Sequence, residues 1–228
     1  MTITLGDYTF PERGVAFSEE RGDVAGRDVR KIRLTGLFSG LASMDAVETA
    51  LDEVLAASAV DGDATVLSVR AGRQLVVRRT GFWRETNPEA LAGSFRLDLE
   101  AMGPYEAAIS ATVIPWTVTE AIPSEDVVSL GTVWSYPQVS FTPTVTVHSP
   151  SVSDGVRTME FQSTLNIGEV LLFDGIAGKV FVDGVDVTVN SAGEFPRISP
   201  GLTNIRIDKA VFSSLAGSST ITYSDRWW

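Results

Sequence analysis

Among the side chains that shuttle protons or bind metals, His148 stands alone, because the chain has one histidine and no cysteine. It ends the alternating run Thr144-Val145-Thr146-Val147-His148 and is expected on the surface at a strand end. A Ser-His-Asp triad would have to recruit it, yet no G-x-S-x-G elbow marks a nucleophile. Without cysteine there is no thiol nucleophile, thiolate metal site or disulfide. A zinc sphere would have to be completed by carboxylates. Neither G-x-x-x-x-G-K-[ST] nor G-x-G-x-x-G occurs, so no phosphate-cradling loop is expected. Asp61-Gly62-Asp63 lacks the further spaced acids and terminal glutamate of an EF-hand loop. Asp174, Asp183 and Asp186 could converge, but Asp174-Gly175 and Asp183-Gly184 are sufficiently explained as turns. A carboxylate pair for glycoside hydrolysis stays open as an alternative, although nothing selects a pair among the 29 acids. The expectation is a non-enzyme with no catalytic, cofactor-binding or metal-binding residues.

Two features ask for a different kind of chemistry. Arg70, Arg73, Arg78, Arg79 and Arg84 concentrate positive charge in a chain whose formal net charge is −11. Nucleic acid is a poor partner for them, since Asp61, Asp63, Glu85 and Glu89 flank the cluster and the net charge opposes phosphate binding. They read either as contacts between subunits, where arginine makes bidentate bonds to carboxylates, or as a solvated strand face. The tandem Trp227-Trp228 would be an apolar liability if exposed. It reads as the last strand of a β-sandwich folded back on its own protein, or as an anchor on a partner.

The elements that position these residues follow from periodicity. The 228 residues, 44% hydrophobic and 21% charged, supply an ordinary globular core, and no apolar run of membrane-spanning length occurs. The segment Met1 to Phe10 has no basic start followed by an apolar run, so a cytoplasmic product is expected. One helix stands out: Ser43 as N-cap, Asp45 and Glu48 in the first turn, and a stripe of Val47, Leu51, Val54 and Leu55, ending near Ser58 before Asp61-Gly62. Around it lie strand patterns at 29–37, 65–70 and 73–79, the last two joined by Ala71-Gly72. The run Phe95-Arg96-Leu97-Asp98-Leu99-Glu100 places Phe95, Leu97 and Leu99 inward. After about residue 102, threonine, valine, proline and aromatics replace charge. Roughly eight short strands follow Val127, including a hairpin over 179–187 turned by Asp183-Gly184. The fold class expected is mainly β, with an N-terminal β-domain carrying one packed helix (1–125) and a C-terminal β-sandwich (126–228).

Order along the last hundred residues carries a resemblance. The segments are Leu130-Gly131-Thr132-Val133-Trp134-Ser135-Tyr136-Pro137-Gln138-Val139-Ser140-Phe141, Gly168-Glu169-Val170-Leu171-Leu172-Phe173-Asp174 and Val180-Phe181-Val182-Asp183-Gly184. The stretch from Gly193 to Ile207 follows, with its Pro200-Gly201 turn before an Asn204-Ile205 strand, and Ile221 to Trp228 closes the chain. This succession resembles the distal tail protein family of long-tailed, siphovirus-type bacteriophages; the first half, with its strand at 30–36, helix and paired strands, does so more loosely. The resemblance implies an N-terminal domain that forms a ring, usually a hexamer and alternatively a trimer, joining the tail tube to the tail-tip hub or baseplate. It implies a galectin-like C-terminal sandwich that braces the tip or holds receptor-binding proteins, no cofactor, assembly in the host cytoplasm and residence in the virion tail. Neither sequence-specific nucleic-acid binding nor membrane insertion is expected. The alternative is a monomeric carbohydrate- or receptor-binding β-sandwich module, with Trp116, Trp134, Trp227 and Trp228 as its platform.

Overall fold

The computed structural model describes residues 2–11, 14–24, 27–58 and 63–228, and the chain divides into two compact units, Met1–Ile109 and Ser110–Trp228. The division falls after Ile109 and not near residue 125, because the strand Thr112–Thr119 hydrogen-bonds along its whole length to Ala216–Tyr223 of the second unit. The expected turn at Asp61-Gly62 lies outside the described residues.

In the first unit the strands are β1 (Thr4–Leu5), β2 (Tyr8–Thr9), β3 (Val15–Val24), β4 (Arg27–Phe38), β5 (Ala64–Arg70), β6 (Arg73–Asn87), β7 (Ala92–Ala101) and β8 (Glu106–Ala108), with helix α1 (Met44–Ala57) between β4 and β5. They form an antiparallel sheet in the order β2-β1-β5-β6-β7-β4-β3, and β8 pairs with the start of β6. Alternation decides which face is covered. Ile32 and Leu34 on β4, Leu75 and Val77 on β6, and Phe95, Leu97 and Leu99 on β7 are buried, together with Val47, Leu51 and Val54 of α1. The helix begins where its cap predicts: Ser43 accepts a hydrogen bond from the Ala46 amide at 3.2 Å. Asp45 lies in the first turn, whereas Glu48 falls beyond it, and Leu55 sits at the margin of the stripe.

One cross-strand pair shows how tightly this core is fitted. Gly36 of β4 stands opposite Phe95 of β7, and a Cβ on Gly36 would lie 2.2 Å from the Phe95 ring. The ring fills the space that the glycine leaves, and it stacks on Phe10 and Phe38 with centroids 5.9 and 5.6 Å away. Gly36→Ala is therefore expected to cost about 1–3 kcal/mol by forcing the ring out of place. Adding Phe95→Leu should return part of that loss in urea denaturation, and a double variant no better than the single would refute the steric account.

The second unit contains β9 (Thr112–Thr119), β10 (Ser124–Ser129), β11 (Gln138–Pro143), β12 (Val147–His148), β13 (Ser151–Ser153), β14 (Thr158–Phe161), β15 (Thr164–Leu165), β16 (Leu171–Asp174), β17 (Lys179–Val182), β18 (Val185–Asp186), β19 (Ser191–Gly193), β20 (Gly201–Asp208), β21 (Ala216–Tyr223) and β22 (Arg226–Trp227). Two antiparallel sheets, β10-β20-β13-β14-β19 and β18-β17-β16-β11-β21-β9, enclose a core built around Phe141, Phe161, Phe173, Ile205 and Ile221. The strands are shorter and more numerous than eight, because loops and prolines interrupt the pairing. Pro115 sits in edge strand β9, where its missing N–H harms no central ladder. The 179–187 hairpin forms as expected, with Asp183 and Gly184 at φ of 48° and 80°, and Gly201 takes φ of 84° at the start of β20.

Candidate assembly surface

The arginines singled out in the sequence are divided by the pleat. Successive residues of β6 face opposite sides of the sheet, and the register slips between Arg79 and Gly81, so a bulge resets the alternation. Arg79 turns toward α1 and closes it: its Nη1 donates to the Leu55 carbonyl at 3.3 Å and to Ser58 Oγ at 3.0 Å. Arg84 reaches Asp52 of α1 at 2.5 Å. Arg78 lies on the uncovered face, 3.1 Å from Glu100. Arg70 bonds Glu106, and Arg73 lies 3.9 Å from the same carboxylate. The five do not make one patch.

The uncovered sheet face is laid out in rows. Lys31 stands opposite Glu100, which stands opposite Arg78; Arg33 stands opposite Asp98, and Thr35 opposite Arg96. Ion pairs at 2.7 Å join Asp98 to Arg33 and to Arg96. The guanidinium of Arg96 and that of Arg33 hold the Asp98 carboxyl below its ordinary range. Such exposed pairs contribute little to stability in water, so the face is patterned more than stabilised. Trp83 lies on it, 53% exposed, in a shallow concavity shared with Thr35, Ser94 and Arg96.

The strongest electrostatic feature of the unit was missed from sequence. Arg30 and Glu106, 76 positions apart, are each 2% exposed and meet at 2.6 Å, while Arg30 also holds Glu19 at 2.8 Å. Burial pushes the Glu19 carboxyl up, and the hydrogen bonds from Arg30 and Arg21 outweigh it, leaving the group below its usual range. A signal existed: Arg30 is in phase with Ile32 and Leu34, so it occupies an inward position of β4.

In the second unit the terminal tryptophans lie along the segment 130–133. Trp227 Nε1 donates to the Leu130 carbonyl at 3.2 Å, and the Trp228 amide donates to Thr132 Oγ1 at 3.0 Å. Trp228 remains 52% exposed. A tryptophan platform is not assembled: Trp116 is in the core, and the Arg197 guanidinium covers the Trp134 ring at 4.1 Å. His148 Nδ1 lies 2.8 Å from Thr164 Oγ1 at an exposed strand end. Among the described residues no group of three or more His, Asp or Glu could hold a metal ion, and no helix is long and apolar enough to cross a membrane.

With the two units and their surfaces described, comparison with solved structures places the fold. The fold of the whole chain matches that of one phage protein, and the match is end to end. The matching structure is SPP1 Dit (gp 19.1), described as a paradigm of the hub adsorption apparatus in phages infecting Gram-positive bacteria; it covers 100% of this chain and 99% of that one, at a TM-score of 0.70 and 12% identity. A second match, to infectious bursal disease virus Gx strain, covers 93% of this chain and 56% of that one at 10% identity, and its TM-score of 0.23 does not define a common fold. No family model matches the sequence, and no curated protein matches it.

Proposed function

We propose that this chain is a structural protein of a phage tail that forms a ring between the tail tube and the tail-tip hub. The observation that carries this reading is the agreement of the whole chain, both units in order, with SPP1 Dit. Its surface suits assembly more than chemistry, with ordered charge rows on a broad open sheet face and a half-exposed Trp228. In this reading the first unit builds the ring, and the second braces the tip or carries receptor-binding proteins. Self-association, hexameric or trimeric, places the half-exposed Arg70, Arg78 and Arg84 and the terminal tryptophans near contacts with other copies or other tail components. The protein acts by geometry and not as an enzyme; it is assembled in the host cytoplasm and resides in the virion tail.

Native mass spectrometry over a concentration series, with negative-stain images of the same sample, tests this directly. Closed oligomers with a central hole are expected. A strict monomer at every concentration would overturn autonomous ring formation and favour a monomeric receptor- or carbohydrate-binding module, which binding to a glycan array would then support.

A further inference from the structure

We infer that the hollow beside Trp83, on the uncovered sheet face of the first unit, is a binding site for the pyranose ring of an uncharged sugar. This is a binding role beside the structural one, and it does not depend on whether copies close into a ring. Cross-strand register builds the hollow. Thr35 of β4, Arg96 of β7 and Trp83 of β6 stand in one row across three strands, and Arg33, Asp98 and Gly81 form the next. Gly81 leaves the space in front of the indole empty; a Cβ added there would meet only Asp98, at 3.7 Å. The result is an open hollow of about 620 Å³, lined by Thr35, Trp83, Ser94, Arg96 and Asp98 among others, within the size range of small-molecule sites. Trp83 is 53% exposed and belongs to neither hydrophobic core. The bulge between Arg79 and Gly81 is what aims it there: without the extra residue, the period of two would turn Trp83 to the covered face.

The groups around the indole select the ligand. An aromatic face left in water is covered well by the C–H face of a saturated ring. Each sugar hydroxyl both donates and accepts hydrogen bonds, so it needs both kinds of partner close together. Arg33 and Arg96 can only donate, and the ionised Asp98 can only accept. Ion pairs at 2.7 Å join Asp98 to each of them, so the polar groups are positioned before a ligand arrives. Charge is balanced beside the indole: Arg33 and Arg96 are matched by Asp98 and by Glu85, which shares the face opposite Ser94. With no surplus of positive charge, a phosphate or other polyanion gains little there. An apolar side chain from another protein would cover the indole but strip water from Arg96 and Asp98 without replacing its hydrogen bonds.

Fluorine NMR of the full-length chain labelled with fluorotryptophan tests this, because only five tryptophans contribute signals. The resonance that disappears in Trp83→Phe is assigned to Trp83. The probes are methyl glucopyranoside, methyl galactopyranoside, methyl mannopyranoside and dextran, with tripolyphosphate as the anionic comparison. The expected result is a saturable shift of the Trp83 resonance with at least one sugar, unchanged on adding salt. Gly81→Val, which fills the hollow and leaves the indole in place, should abolish that shift. Ser94→Gln blocks the same hollow from β7 and serves if circular dichroism shows that Gly81→Val disturbs the fold. A Trp83 resonance that no sugar moves would overturn the site. So would a shift that survives both filling variants, or sugar shifts confined to the other tryptophans. A shift with tripolyphosphate alone, suppressed by salt, would mark an anion surface and overturn the sugar assignment. Each of these outcomes leaves the ring reading to be decided by native mass spectrometry.

Discussion

Glu106→Ala is expected to destabilise the first unit by about 3–5 kcal/mol, a large share of the stability of an ordinary domain. Arg30 is almost fully buried, and Glu106 is the buried partner that compensates its charge. Glu19, the other contact, is less deeply covered and shared with Arg21. Removing Glu106 leaves the guanidinium in low dielectric with its Nε and Nη1 already lacking hydrogen-bond partners. The pair itself need not be a net source of stability, because taking two charges out of water costs nearly what their attraction returns. Arg30→Met with Glu106→Leu should therefore recover most of the loss. Urea denaturation followed by hydrogen exchange in β4 and β8 would measure both variants. Equal destabilisation by the single and the double would show that shape, and not uncompensated charge, governs the site.

Asp154→Ala should cost about 3 kcal/mol in the second unit. The carboxylate, its side chain 4% exposed, lies in the turn between β13 and β14. Its Oδ1 accepts the amides of Val156 and Arg157 at 2.9 and 2.6 Å, and its Oδ2 accepts the Arg197 amide at 2.8 Å and the Arg157 guanidinium at 3.1 Å. Arg197 in turn packs over Trp134 and Tyr136, so one carboxylate ties a turn, a distant segment and an aromatic pair together. Burial alone would raise its pKa, but the backbone amides and Arg157 outweigh that and hold it below the ordinary range. A folded value below the unfolded one means that the stabilisation is present above about pH 4 and is lost as pH falls through the folded value. Urea midpoints measured between about pH 2 and 6 should fall on acidification, and Asp154→Asn should flatten that dependence. An unchanged slope in the variant would assign acid sensitivity to other carboxylates.

What was legible in the sequence was local. The Phe95–Glu100 alternation, the Ser43 cap with its Val47-Leu51-Val54 stripe and the Asp183-Gly184 turn each act over a few residues, and each appears in the structure as written. What was not legible depends on distant partners. β6 reads as ending at Arg79 because the bulge at residue 80 breaks its period of two, yet pairing with β7 carries it to Asn87. The unit boundary was misplaced because β9 takes its partner from β21, about a hundred positions later. The arginines looked like one cluster in the chain, but the pleat and the bulge send Arg79 and Arg84 to the helix and Arg78 to the open face. The buried Arg30–Glu106 pair joins positions that no spacing rule connects.

His148, exposed and tied only to the hydroxyl of Thr164 among its described side-chain contacts, has one more consequence. It is the chain's single histidine, so a histidine-directed label would mark the molecule at one known position, the end of β12.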